Sequence, residues 1–422
     1  MTKKDFLIIL GAVLLALAIG FSPYITLATL ADGRAVKIRF EDVLIAVLLI
    51  ISTVMFLLRG QKTLQKPPLF VWIGLWLGIN FFVTLSDLII TNLYLTRSFF
   101  FFLKEVEFFC IYFYVFYHAK NVQAIWILLK TWMVIGLVNT GWIIFQILSG
   151  LHLTYFYGAN SFIEPEGTIA NGGFFLMIFL FLFNVFLQYY SDMPMPWQKK
   201  AGLLLVSILP IIGVFSSGSR GTLVGLIPAL VITFGAYIIR KGFLKNIILI
   251  SAIAVIVIGA FAAAVLSSSY LTRFFDVKSF EYEFNSGHSD SRVSIWRDQL
   301  ERGLQEPLQL LWGYGTGVVL VYGESHNQYV RNIVEVGLIG SLIFLLLIGT
   351  ILKKSWDGYK TNDPLAIGLS VALFSATVAM LGISMSTEPF IVVKLAEAYW
   401  FFAAITFTYL YLLKKDSIQT TV

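Results

Sequence analysis

The sequence predicts an all-α, polytopic membrane protein of about twelve transmembrane helices with one large external (periplasmic) loop that contains an amphipathic helix. Three observations predict it. The 422 residues are 58% hydrophobic and 13% charged, whereas a soluble globular chain is about 45–50% apolar and about 25% charged. The apolar residues gather into runs of about 20, the length a helix needs to cross a bilayer. Lys and Arg fall between those runs and favour one side of them.

The expected spans are 6–22, 42–58, 68–88, 98–117, 124–147, 170–189, 201–217, 221–239, 246–266, 329–352, 365–385 and 392–413. The first follows Lys3 and Lys4 as the core of a signal peptide would, but no small-residue cleavage site comes after it, so it reads as a helix. The second and seventh are short enough to be tilted or re-entrant. With the N-terminus in the cytoplasm, the cytoplasmic side holds Lys3, Lys4, Arg59, Lys62, Lys66, Lys120, Lys199, Lys200, Arg240, Lys241, Lys245, Lys353, Lys354, Lys360, Lys414 and Lys415. The short external loops hold Arg34, Lys37, Arg39, Arg97 and Arg220. Sixteen against five is a positive-inside bias and places both termini in the cytoplasm. The formal charge of +6 is therefore a topology signal and not a nucleic-acid one.

The segment 267–328 is the external exception, long and rich in mixed charge. A connection of that length is usually functional or disordered. Val293, Trp296, Leu300 and Leu304 recur at helical spacing, which predicts an amphipathic helix over 291–308. Gly313, Gly315, Gly317 and Gly323 then mark a turn region. We divide the chain into an N-terminal bundle (1–200), a core with the external loop (201–352) and C-terminal helices (353–422).

Several functions are excluded by what the sequence lacks. Cys110 is the single cysteine and has no disulfide partner in the chain. There is no Walker motif, no paired-Cys or His-x-x-His metal site and no Asp-x-Asp motif. The cytoplasmic loops are too short for a nucleotide-binding domain. No cofactor and no metal are expected.

Three basic groups on the outer side are candidates for chemistry. Arg220 lies in Gly218-Ser219-Arg220-Gly221-Thr222, a short turn that opens a helix. Small neighbours permit close approach of a ligand. The helix N-terminus favours anions, and a guanidinium suits bidentate contact with phosphate oxygens. Arg292 opens the loop helix, and His326 closes the loop. Each also has a plain structural reading. Arg220 snorkels to lipid headgroups, Arg292 sits on a solvated face, and His326 has a satisfied ring at a helix start. Lys104 and Glu107 are three residues apart inside an apolar run, which predicts a mutual pair facing the bundle.

The stretch from His326 to Gly340 reads His-Asn, nine residues, Gly337-Leu338-Ile339-Gly340. It resembles the His-Asn-x9-Gly-x-x-Gly signature of the O-antigen ligase and polymerase superfamily. Gly218-Ser219-Arg220-Gly221-Thr222 resembles the Ser-Arg-Gly turn of that family. Arg292 and Trp296, followed by Gly313-Tyr314-Gly315-Thr316-Gly317, resemble its Arg-x-x-x-Trp and Gly-x-Gly-x-Gly stretch. The likeness covers about 200–340.

The resemblance implies a membrane glycosyltransferase of surface-polysaccharide and lipopolysaccharide biosynthesis, working at the outer face of the bacterial cytoplasmic (inner) membrane. It implies a metal-independent, inverting enzyme. The donor would be a glycan on undecaprenyl diphosphate, and the acceptor lipid A-core (a ligase) or a lipid-linked repeat unit (a polymerase). Charge growing on the departing diphosphate would then be stabilised by Arg220 and Arg292. A histidine exchanges protons near neutral pH, so His326 would serve as base, as orienter of the acceptor hydroxyl, or as a cationic contact to diphosphate. Asn327, Glu324 and Tyr329 are candidate orienters around it. Arg297 and Arg331 are candidates to extend a phosphate groove, and equally ordinary surface charges. Glu164 and Glu166 are a further carboxylate option from another external loop. A lipid-linked oligosaccharide flippase or transporter is the main rival, with a membrane acyltransferase behind it. Transporters usually carry ionisable groups within the bilayer.

Overall fold

The computed structural model describes residues 3–21, 24–29, 35–59, 66–91, 95–149, 168–191, 193–242, 259, 291–319 and 324–419. In chain order these form α1 (Lys3–Phe21), β1 (Tyr24–Thr29), β2 (Ala35–Arg39), α2 (Phe40–Arg59), α3 (Phe70–Thr91), α4 (Leu95–His118) and α5 (Val122–Ser149). There follow α6 (Thr168–Val185, prolonged by a π turn over Phe186–Tyr190), α7 (Trp197–Ile208), α8 (Ile211–Ser216), α9 (Arg220–Lys241), α10 (Arg292–Gln305) and α11 (Pro307–Trp312). The last three are α12 (Gln328–Tyr359), α13 (Pro364–Ile383) and α14 (Val393–Gln419). The expected span 246–266 apart from residue 259, the loop from 267 to 290, and Glu164 and Glu166 lie outside the described residues.

Seven helices among the described residues are long and apolar enough to cross a membrane: Val122–Ser149, Ala170–Tyr190, Trp197–Ser216, Arg220–Lys241, Gln328–Tyr359, Pro364–Ile383 and Val393–Lys415. The chain is thus a multi-pass helical membrane protein. The count of twelve expected spans extends beyond the described residues. α1 and α3 are apolar helices of 19 and 22 residues. In α4 the apolar run is interrupted by Lys104, Glu105 and Glu107.

The centre of the bundle is α6, α13 and α14, whose apolar windows are mostly buried inside the protein. Phe174 to Phe181 are buried without interruption. Phe181 stacks on Phe402 with centroids 4.1 Å apart, and Trp132 packs on the same ring at 4.7 Å. One apolar core runs from Ile9 in α1 to Tyr409 in α14. The outer helices present Val231, Ile239, Leu342 and their like outward. Such a surface is unsuited to water and suits lipid.

Three local features depart from expectation. The chain is not wholly helical: β1 and β2 pair antiparallel, Tyr24 opposite Arg39, with an irregularity between Thr26 and Ala28. β-branched residues such as Ile25, Thr26, Val36 and Ile38 favour that conformation. The seventh expected span breaks into α7 and α8 around Leu209-Pro210, since proline offers no N–H to continue the ladder. The loop helix expected over 291–308 ends at Gln305. Glu306 precedes Pro307 and leaves the helical region (φ −120°), and Pro307 starts α11 at its first turn. Leu304, on the apolar stripe of the amphipathic pattern, is 68% exposed, while Gln299 and Gly303 turn inward.

The expected pair of Lys104 and Glu107 is present at 2.7 Å, and Lys104 also meets Asp42 of α2 at 2.5 Å. Beside it, Lys394 of α14 is fully buried against Glu41 and Glu397. The carboxylates of Glu41, Asp42 and Glu397 lie within 4.8 Å of one another. Two lysine ammoniums interleaved among carboxylates tie α2, α4 and α14 together. The sequence reading expected ionisable groups to concentrate in the external loop. This buried network adds a second concentration.

Candidate active site

His326 owes its position to a break in α12. Gly337, inside that helix, has φ 67° and ψ −173°, a conformation open to glycine and strained for other residues. The break frees the carbonyls of Val334 and Glu335. Tyr314 N–H donates to the first at 2.8 Å and Gly315 N–H to the second at 3.0 Å. Gly317 N–H donates to the Glu335 carboxylate at 2.8 Å. Gly313, Gly315 and Gly317 all have positive φ. A Cβ on Gly313 would collide with the Glu335 carbonyl, and one on Gly337 with the Leu311 carbonyl. The Gly-x-Gly-x-Gly stretch therefore docks backbone to backbone on the kink. It also meets α3, where the hydroxyls of Thr316 and Thr84 are 2.8 Å apart.

The other end of the docked loop carries His326. The indole N–H of Trp296 donates to the Ser325 carbonyl at 2.5 Å, and the Ser325 hydroxyl donates to Gln299 Oε1 at 2.9 Å. Two residues of α10 thus hold the residue before His326. Asn327 is the N-cap of α12: its Oδ1 accepts from Tyr329 N–H at 2.9 Å and from Val330 N–H at 3.1 Å. His326 has φ 48° and, among the described residues, is the single non-glycine with positive φ. A left-handed histidine is uncommon, and such conformations cluster at functional sites. Its ring is 41% exposed, and its Nε2 lies 3.9 Å from a Glu324 carboxylate oxygen.

A short turn at the end of α13, Ser384 to Thr387, gathers the remaining parts. Gln328 N–H donates to the Ser384 carbonyl at 2.9 Å and to the Thr387 carbonyl at 3.1 Å. Asn327 Nδ2 points to the Met385 carbonyl at 3.5 Å. Arg292 Nη1 donates to the Ser386 carbonyl at 2.9 Å. Gly221, next to Arg220, packs so tightly on the Ser386 hydroxyl that a Cβ there would overlap it. The approach is possible because α9 and α13 touch through glycines; a Cβ on Gly225 would stand 2.6 Å from the Ala379 carbonyl. Ser219 caps α9 by accepting from Thr222 N–H at 3.2 Å. Arg220 then sits at the helix N-terminus, half-buried.

Arg220, Arg292 and His326, each named from the sequence, are thus anchored around one turn. The others are placed differently. Arg297 points away: it is 70% exposed and pairs with Glu301 at 2.6 Å, and that carboxylate raises the already high guanidinium pKa. Arg331 is buried, bonded to Glu335 at 3.0 Å and set over the Phe101 ring at 5.4 Å. Tyr329 donates its hydroxyl to the Leu381 carbonyl at 2.8 Å. Glu324 is exposed beside His326. The Ser384–Thr387 turn escaped the sequence reading because it carries no charge and no motif. The capping role of Asn327 was legible as an Asn immediately before an apolar-periodic run. The Arg331–Glu335 pair was legible from its i,i+4 spacing.

Residues 205–345 match the family described as O-antigen ligase. Through this segment, about a third of the chain, the protein is similar to the O-antigen ligase and polymerase superfamily. The matched segment holds the Ser219-Arg220 turn, α10, the glycine stretch, His326 and the α12 kink. The Ser384–Thr387 turn lies beyond it. No curated protein matches the chain. The match supports, for this multi-pass membrane protein, a glycosyltransferase of the O-antigen ligase or polymerase type in general.

Proposed function

We propose that the protein transfers a glycan from undecaprenyl diphosphate to a sugar hydroxyl at the outer face of the cytoplasmic membrane. The observation that carries this reading is the convergence of the Arg220 turn, Arg292 and the His326–Asn327 segment on Ser384–Thr387. In the reaction the acceptor oxygen attacks the anomeric carbon and forms the new glycosidic bond with inversion. The bond from that carbon to diphosphate breaks, and its electron pair stays on the diphosphate oxygen. Arg220, Arg292 and the N-terminus of α9 supply positive charge where that negative charge grows. These are fixed cations, and the reading assigns them the stabilisation of the leaving group without a metal. His326 takes the acceptor proton or orients the hydroxyl, with the Glu324 carboxylate 3.9 Å from its Nε2. The bond from Arg292 to a backbone carbonyl uses one of five N–H donors and fixes the direction of the rest.

Polymerase and ligase differ in the acceptor. Between 267 and 328 five Lys/Arg face eight Asp/Glu. A surface for phosphorylated lipid A-core calls for more basic character, which favours polymerase slightly. Reconstitution with the donor and either lipid A-core or a second lipid-linked repeat unit separates the two. Product only with lipid A-core identifies a ligase, and product only with the repeat unit a polymerase.

A second reading, movement of a lipid-linked oligosaccharide across the membrane, draws support from the buried network of Lys104, Lys394 and their carboxylates. Covalent lengthening of a glycan by purified protein supports transfer. Translocation without lengthening supports transport.

A further inference from the structure

At the far ends of α9, α12 and α13 from the candidate active site lies a groove that the transfer reaction does not use. The 22 residues of α9 span roughly 33 Å at about 1.5 Å per residue, close to the thickness of a bilayer core. Arg220 is at one end and Arg240 at the other. The groove has a volume of about 210 Å³. Ile232, Gly235 and Ala236 of α9 form one wall, and Trp356 of α12 and Phe374 of α13 the others. Its lining is almost entirely apolar, with one polar feature. Ser355 and Ser370 are among the lining residues, both fully buried, and among the described residues neither hydroxyl oxygen has a hydrogen-bond partner.

The rim of the groove is basic and aromatic. Arg240 donates to the carbonyls of Tyr359 at 3.0 Å and Thr361 at 3.3 Å, which are neutral acceptors. Lys360 stands 5.7 Å over the Trp356 ring. Residues 240–241 and 353–363 hold five Lys/Arg and two Asp. Trp and Tyr beside Lys and Arg at helix ends mark a membrane–water boundary.

We propose that this groove is a binding site for one phospholipid with an anionic headgroup, on the membrane face opposite the active site. The phosphate sits at Arg240 and Lys360, and an acyl chain lies between Ile232 and Phe374. Basic pockets between transmembrane helices on the cytoplasmic side bind anionic headgroups for the same electrostatic reason. A free phosphate would satisfy the rim and leave the apolar groove empty, so a lipid is the occupant that uses both features.

The test uses the delipidated full chain in detergent, titrated with phosphatidylglycerol or with phosphatidylcholine of the same acyl chains, with bound lipid counted by native mass spectrometry. The expected result is one retained phosphatidylglycerol, preferred about tenfold or more over phosphatidylcholine. Gly235→Leu fills the groove, since a Cβ at Gly235 meets nothing within 4 Å, and abolishes retention. Lys360→Gln lowers the preference about fivefold. Equal retention of the two lipids, or unchanged retention in Gly235→Leu, overturns the proposal. A phosphatidylglycerol with a photoreactive acyl chain tests the wild type without substitution. Crosslinks enriched at Ile232, Trp356 or Phe374 support the site, and crosslinks spread evenly over the lipid-facing helices overturn it.

Discussion

Arg292 and Ser386 are 94 residues apart in sequence and joined by a hydrogen bond of 2.9 Å, from the guanidinium Nη1 to the backbone carbonyl. The bond links the first residue of α10 to the turn that ends α13. The same turn receives Gln328 N–H and packs on Gly221. A loop with family motifs and a turn without any are thereby made into one surface.

Arg292→Ala is expected to lower glycan transfer by on the order of 10²–10³, the scale of losing one preorganised charge stabiliser. Arg292→Lys is expected to fall between alanine and wild type. One ammonium holds the Ser386 carbonyl or a phosphate oxygen, but lacks the fork that reaches both. Turnover measured in reconstituted membranes checks this, with thermal unfolding to show that both variants fold. Wild-type turnover in the alanine variant would remove Arg292 from the site.

His326→Gly separates backbone from side chain. At φ 48° glycine is relaxed where histidine is strained. The variant is expected to unfold at the same temperature as wild type or a higher one, and to have lost transfer. His326→Ala keeps the strain and loses transfer too. Retained transfer in either variant assigns His326 a structural role alone.

Gly337→Ala and Gly349→Ala are the same substitution in one helix with opposite expectations. Gly337 has φ 67°, and a Cβ there meets the Leu311 backbone; Gly349 has nothing within 4 Å. The first is expected to cost more than about 1 kcal/mol and to reduce activity by shifting the glycine stretch from the kink. The second is expected to be neutral or to stabilise by less than about 1 kcal/mol. Unfolding in detergent reads both.

Much of the helical layout was legible in the sequence, because an apolar run of about 20 residues has few other uses. The side chains placed around the Ser384–Thr387 turn were legible through motif order and charge topology. The kink at Gly337 was not, since apolar residues continue on both sides of it and the periodicity runs through. Nor was the purpose of the glycine stretch, which serves a backbone contact with α12 and not flexibility. The pairing of Lys394 with Glu41 crosses 353 residues, and no local pattern records it. Arg297 and Arg331 looked alike as charges in or near the loop. Helix phase decides between them, turning one to solvent and the other into the bundle.

Arg331 and Glu335 form a buried pair whose side chains are 6% and 4% exposed. Removing one partner strands a charge, so Glu335→Leu is expected to cost about 3–5 kcal/mol. Replacing both, Arg331→Met with Glu335→Leu, is expected to recover much of that stability. The loss of the Gly317 contact to Glu335 remains in the double variant. A double-mutant cycle in thermal unfolding measures the coupling. Additive losses would show that the pair is not a unit.

The most direct measurement is glycan transfer by the purified protein, from labelled undecaprenyl-diphosphate glycan to an acceptor, in wild type and in Arg220→Ala, Arg292→Ala and His326→Ala. Covalent lengthening by wild type with its loss in all three variants, each folded, is the predicted result. A wild type that moves the lipid-linked glycan across the membrane and never lengthens it, or three variants that transfer as well as wild type, would contradict the assignment of this site.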